Sequence, residues 1–164
     1  MKKIVLSFTI LLLFTGNVFS AGSSGGDSES TKTKTNYEKA VAHIKVAKKH
    51  EKKGKLEKAN KRYVKAQNLL IESNNKKPND VDTLNYLGFT TRKLGDFENG
   101  EKYYLQGLAI DPNHKGINEY LGELYVVTNR MDLAKERLKV LETCSCEEYT
   151  ELKEIIEGTK KSKY

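Results

Sequence analysis

From Tyr37 onward, apolar residues recur at threes and fours between stretches of Lys, Glu and Asn, which is the period of amphipathic helices and not of strands. Val41, Ile44 and Ala47, with Ala40 beside them, define one face of a first helix that ends at Lys52-Lys53-Gly54, basic residues ahead of a glycine stop. A second helix starts near Leu56 and carries Leu56, Ala59, Tyr63, Ala66, Leu69 and Leu70 to Glu72 or Ser73. The spacing predicts a third helix from about Asp80 to Lys93 and a fourth from about Phe97 to Ile110, with Gly95-Asp96 as the turn and Asp111-Pro112 as the stop. A fifth carries Leu121, Gly122, Leu124 and Tyr125, and a sixth Leu133, Ala134, Leu138 and Leu141, with Asn129-Arg130 between them. After Cys144-Ser145-Cys146, one more helical face is formed by Tyr149, Leu152, Ile155 and Ile156.

These helices repeat. Pro78 to Gly88 returns as Pro112 to Gly122 with five identities at an offset of 34, and at the same offset Gly100 falls on Ala134 and Tyr104 on Leu138. Gly54 to Ala59 matches Gly95 to Gly100 at an offset of 41, which also places Tyr63 on Tyr104. The excess of seven residues is two helical turns, so either the second helix of the first pair runs long or Asn74 to Lys77 forms a longer link. A fixed period of this length implies stacked helix-turn-helix units, in which each pair hides the apolar flank its neighbour would expose. Gly88 and Gly100 are expected where antiparallel helices approach closely.

Leu84, Leu87, Gly88, Gly100, Tyr104 and Pro112, followed by Leu121, Gly122, Tyr125 and Ala134, resemble the motif positions of the tetratricopeptide repeat over roughly residues 40–146. The leading Trp is absent, Thr91 stands where Tyr is common, and Gly107 replaces the usual Ala. The resemblance implies an all-α fold, a short α-solenoid of about three repeats. These would be a diverged hairpin over 37–77, repeats over 78–111 and 112–145, and a capping helix over 146–158, leaving 159–164 as a disordered polar tail. The chain also looks like exported bacterial tetratricopeptide proteins that end in a Cys pair followed by Glu-Glu-Tyr, here Cys144, Cys146 and Glu147 to Tyr149.

Such repeats use the concave surface made by the first helix of each pair to hold a peptide or a helix of another protein. The resemblance therefore implies a groove lined by Lys48, Asn85, Phe89, Arg92, Lys93, Glu119 and Glu123, with Ile44, Lys52 and Val127 alongside. Phe89 next to Arg92 is the strongest candidate for a partner contact, because aromatic and Arg side chains dominate such interfaces. The competing reading is a core Phe that covers the adjoining repeat. The family's carboxylate clamp of Lys, Asn and Arg is missing, since the corresponding positions hold Ile44, Lys48, Tyr86, Gly116 and Tyr120. A receptor for chaperone tails is not expected.

The amino-terminal stretch changes the setting and not the fold. Met1-Lys2-Lys3, an apolar run from Ile4 to Phe14, and Val18-Phe19-Ser20 before Ala21 read as a secretory signal peptide over 1–20, too short to span a bilayer as an anchor. Residues 21–36 carry no bulky apolar side chain and read as a flexible linker. The expected location is the bacterial periplasm or the secreted space, with no membrane association after cleavage. The chain carries net +7, but Lys and Glu interleave along the helices and no one-sided basic stripe points to nucleic acid.

Catalytic chemistry finds no motif. His43 and His50 lie two turns apart on one helix, too far to share an ion, and His114 sits in a turn. No phosphate loop, nucleophile elbow or paired-His motif is present, and no cofactor is expected. Cys144 and Cys146 admit three readings: a structural disulfide, thiols without a role, or a metal or redox function. The leading expectation is a non-enzymatic module that binds an unknown protein or peptide; the alternative is a thiol-dependent redox or metal-handling accessory.

Overall fold

The computed structural model describes residues 33–162. The leader and nearly all of the linker lie outside the described residues. Within them every regular element is a helix: α1 (Asn36–Glu51), α2 (Leu56–Lys76), α3 (Val81–Lys93), α4 (Phe97–Ile110), α5 (Lys115–Val127), α6 (Met131–Leu141) and α7 (Glu147–Ile156). They form a short α-solenoid of three antiparallel hairpins, α1–α2, α3–α4 and α5–α6, with α7 packed on the last pair.

Local chemistry fixes where the helices begin and turn. Thr35 and Glu38 form a reciprocal capping box, so α1 starts at Asn36, inside the segment read as linker. Asp80 and Asp96 accept hydrogen bonds from the backbone N–H groups of Thr83 and Asn99 and cap α3 and α4. His114 takes that role at α5, its Nδ1 accepting from the Ile117 N–H. The turn inside each hairpin places one residue in the left-handed region at an equivalent position: Gly54 (φ 68°), Gly95 (φ 95°) and Asn129 (φ 58°). Asn is the side chain that best tolerates this conformation when Gly is absent. The seven extra residues of the first repeat lie in α2 itself, which runs for 21 residues.

Packing follows the repeat. Ala40, Ile44 and Ala47 of α1 meet Ala59, Tyr63, Ala66 and Leu70 of α2 in one apolar cluster, joined by Leu84, Leu87 and Phe89 of α3. A second cluster holds Tyr104, Leu108, Ile117, Leu121, Leu124, Tyr125 and Ala134. Leu152 and Ile155 of α7 are buried and complete the far end. Two periodic apolar positions are surface positions instead, Leu56 at 63% exposure and Leu133 at 37%, because both sit in the first turn of an outer helix beyond the reach of its partner. Two of the three motif departures are compensated. Thr91 accepts a hydrogen bond from Gln67 Nε2 at 2.8 Å, and Ile117 Cδ1 fills the space that a Cβ at Gly107 would need.

Gly88 and Gly100 lie at the helix crossing. A Cβ built on Gly88 would stand 2.5–2.8 Å from three atoms of the Tyr104 ring, which is itself fully buried. Gly88→Ala is therefore expected to destabilise the fold by about 1–3 kcal/mol through overpacking, even though Ala favours a helix interior over Gly by up to about 1 kcal/mol. A denaturant midpoint equal to that of the parent would show that the ring can move aside.

Candidate functional site: the concave face

The first helices α1, α3, α5 and α7 pack side by side in sequence, whereas among the described residues the backbones of α2, α4 and α6 stay apart from one another. A stack whose inner members meet while its outer members diverge must curve, and the first helices line the inside. Every groove residue expected from the sequence is on these helices, apart from Lys52 at the α1 C-cap, but the curvature is tight enough to bury most of them.

The centre of the concave face is closed. Phe89 is 1% exposed and packs its ring 5.8 Å from Tyr63 of α2 and 5.0 Å from Tyr120 of α5. Lys48 of α1 reaches across α3, placing Nζ 4.6 Å from the centre of the Phe89 ring and donating to the Tyr120 hydroxyl at 3.3 Å. Arg92 lies beneath. It is fully buried, donates from Nη1 to the Tyr120 backbone carbonyl at 2.6 Å, approaches Glu123 to 3.5 Å, and stacks its guanidinium 5.4–5.9 Å from the rings of Phe89, Tyr104 and Tyr120. Phe89 and Arg92 are thus internal struts between repeats and not surface contacts for a partner. The physical reason is the aromatic at position 120, whose ring fills the gap over Phe89.

The other groove residues divide. Glu123 is fully buried, Glu119 is 5% exposed, and Ile44 is a core residue. Lys93 is held by Glu51 at 2.6 Å, and Glu51 also accepts from the Tyr63 hydroxyl at 2.8 Å. Asn85 is buried in the wall of an opening, while Lys52 and Val127 are exposed. Oxygens of Glu119, Glu123 and Glu151 come within 4.8 Å of one another. Cationic groups already face this cluster, Arg92 toward Glu123 and Lys160 at 3.1 Å from Glu151. The tail is therefore held back on α7 as far as the described residues go, and Ser162 Oγ lies 3.5 Å from Glu123 Oε2.

On either side of the closed centre the face opens. One side is a channel of two adjoining cavities of about 490 and 250 Å³, sharing Glu119, Tyr120 and Glu148 in their walls. Tyr86 forms the opposite wall, its ring 5.9 Å from Tyr37. The other side is a cavity of about 550 Å³ bounded by Lys48, Lys52, Phe89, Lys93 and Glu151. Burial raises the Tyr37 hydroxyl to about 12, with Asp82 adding to the shift, and burial with the same carboxylate raises Tyr86. Burial also holds Tyr63, Tyr104 and Tyr120 far above the ordinary phenol value. The rings that line the face are accordingly neutral hydrogen-bonding groups. Burial lowers the Arg92 guanidinium from its ordinary value against the pull of Tyr104 and Glu123.

Tyr86, Tyr120 and Glu148 belong to the open walls but were absent from the sequence-derived groove. Tyr86 and Tyr120 are equivalent positions of successive repeats, and that coincidence was the available signal. Cys144 and Cys146 form a disulfide with their Cα atoms 5.2 Å apart, at the corner between α6 and α7.

No family model matches the chain, and no curated protein matches it. Among solved structures it is similar to one described as the first TPR of Spaghetti (RPAP3) bound to HSP90 peptide SRMEEVD, with a TM-score of 0.52 and 19% identity over 76% of this chain and 96% of that one. The likeness is one of fold. It agrees with the repeat pattern and the helical hairpins in giving this chain the architecture of a tetratricopeptide-repeat domain.

Proposed function

We propose that this chain is a non-catalytic interaction module that holds a peptide or protein segment along its concave face, outside the cytoplasm. The observation that carries the reading is the curved wall of α1, α3, α5 and α7 with an open channel between Tyr86 and Glu148. The solved domain of similar fold was captured with a peptide, which favours the same use of the architecture here. Export rests on the leader pattern of residues 1–20, and a disulfide suits an oxidising compartment. With both cysteines joined, nothing favours the thiol-dependent alternative.

The test is a peptide library offered to two forms of the full chain, one with a photocrosslinking residue at Tyr86 and one with it at Val64, which is 45% exposed on the outer helix α2. Bound peptides should crosslink at position 86 and not at 64. Equal labelling of both positions, or no peptide retained at all, removes the reading. Recovery of the chain from the cytoplasm with Met1 intact removes the extracytoplasmic part.

A further inference from the structure

The open channel has a charge opposite to that of the protein around it. The chain carries net +7, yet the walls of the two adjoining cavities bring together Asp82, Asp111, Glu119, Glu147, Glu148 and Glu151. Only Lys48 and Lys115 stand among them as permanent cations, and Lys48 is already engaged with the Tyr120 hydroxyl and the Phe89 ring. His114 Nε2 donates to Asp82 at 3.2 Å, because its Nδ1 is committed to accepting from the Ile117 N–H. A low-dielectric concavity focuses such a field, so the channel attracts cations in spite of the basic exterior.

A second, independent feature points the same way. Asn85 is 7% exposed, faces this channel, and its Oδ1 is buried without a hydrogen-bond partner. A buried amide carbonyl left unsatisfied is costly, and only a donor can satisfy it. Carboxylates and the Tyr86 and Tyr120 rings make up most of the remaining wall, with Asn113, His114 and Lys115 as its donors. The face already receives ammonium groups in this manner, with Lys48 Nζ 5.6 Å from the Tyr120 ring centre and Lys160 Nζ 3.1 Å from Glu151. Acceptors, aromatic faces and focused negative potential together select a cation rich in N–H donors and repel a carboxylate.

We propose that the occupant of the concave channel is a cationic polypeptide segment, one of whose Lys or Arg side chains enters between α3 and α5 beside Asn85 to meet the Glu119 and Glu148 carboxylates and the ring of Tyr120. The proposal rests on the peptide-holding reading above and names the chemistry of the peptide. It inverts the charge preference that a basic clamp would have.

Three fluorescent peptides of equal length, alternating glycine with lysine, with glutamate or with serine, are titrated against the full, disulfide-intact chain and followed by anisotropy. The lysine peptide should bind, weaken as salt rises, and exceed the glutamate peptide by about tenfold or more in affinity. Glu148→Gln should weaken the lysine peptide by about threefold to tenfold, whereas Glu57→Gln, on the outer surface with its partner Lys61, should leave it unchanged. Unchanged thermal melts of both variants would exclude misfolding as the cause. If the glutamate or serine peptide binds as tightly as the lysine peptide and still crosslinks at position 86, the charge proposal is overturned while the peptide-holding reading stands. Indifference of the lysine peptide to Glu148→Gln also overturns it, and failure of all three peptides to bind removes both readings.

Discussion

Replacing Arg92 by Met is expected to destabilise the fold by about 3–5 kcal/mol, and replacing Glu123 by Leu in the same chain is expected to restore most of that loss. Arg92 and Glu123 have fully buried side chains and lie 3.5 Å apart, so both ions have left water. The attraction between them does not by itself make the pair stabilising, because desolvating two charges costs as much as their attraction returns. What costs is removing one partner. With Met at position 92, Glu123 keeps its charge in the interior with Glu119 and Glu151 oxygens within 4.8 Å, so like-charge repulsion adds to the desolvation penalty. The Tyr120 backbone carbonyl also loses the donor that now stands 2.6 Å away. Met retains an unbranched stem against the rings of Phe89, Tyr104 and Tyr120, so lost packing accounts for little of the effect. Denaturant midpoints of the two single variants and the double variant form the cycle. A double variant no more stable than Arg92→Met would mean that the guanidinium acts through its ring stacking and the carbonyl bond, not by balancing Glu123.

How much of this was legible from the chain depends on the range of the interaction involved. The hairpins, the crossing at Gly88 and the turns at Gly54, Gly95 and Asn129 are set within one or two repeats, and the offsets of 41 and 34 residues display them directly. The capping box at Thr35 and Glu38 is also local, and it starts the helix one residue ahead of Tyr37, where the apolar pattern begins. The closure of the concave face is not local. Helical spacing places Phe89, Arg92, Glu119 and Glu123 on the inner side, yet it contains no measure of how tightly the inner side curls. That curl is set by a contact such as Lys48 to Tyr120, 72 residues apart, in which a first helix meets the first helix two units on. The same limitation hid the return of the tail, since nothing near Lys160 announces that it will lie against Glu151.

Phe89→Ala should therefore unfold the protein more than it weakens any partner, with a stability loss of about 3–5 kcal/mol and a fall in melting temperature on the order of 10 °C. The ring is 1% exposed and touches all three repeats: Tyr63 of the first, its own α3, and Tyr120 of the third. Tyr120 in turn packs against both apolar clusters, so the Phe89–Tyr120 pair is a junction between them. In a solenoid, stability is the sum of each unit's own term and the interface terms between neighbours, and truncating a junction removes interface energy from both sides at once. The unfolding transition of Phe89→Ala should consequently broaden as well as shift, because weakly coupled units no longer melt together. Phe89→Leu keeps the site apolar and most of its volume, and its cost should stay below about 1.5 kcal/mol. If Phe89 were instead a partner contact, the Ala variant would melt like the parent and lose affinity for the channel peptide; that pair of results would place the ring in the groove and not in the core.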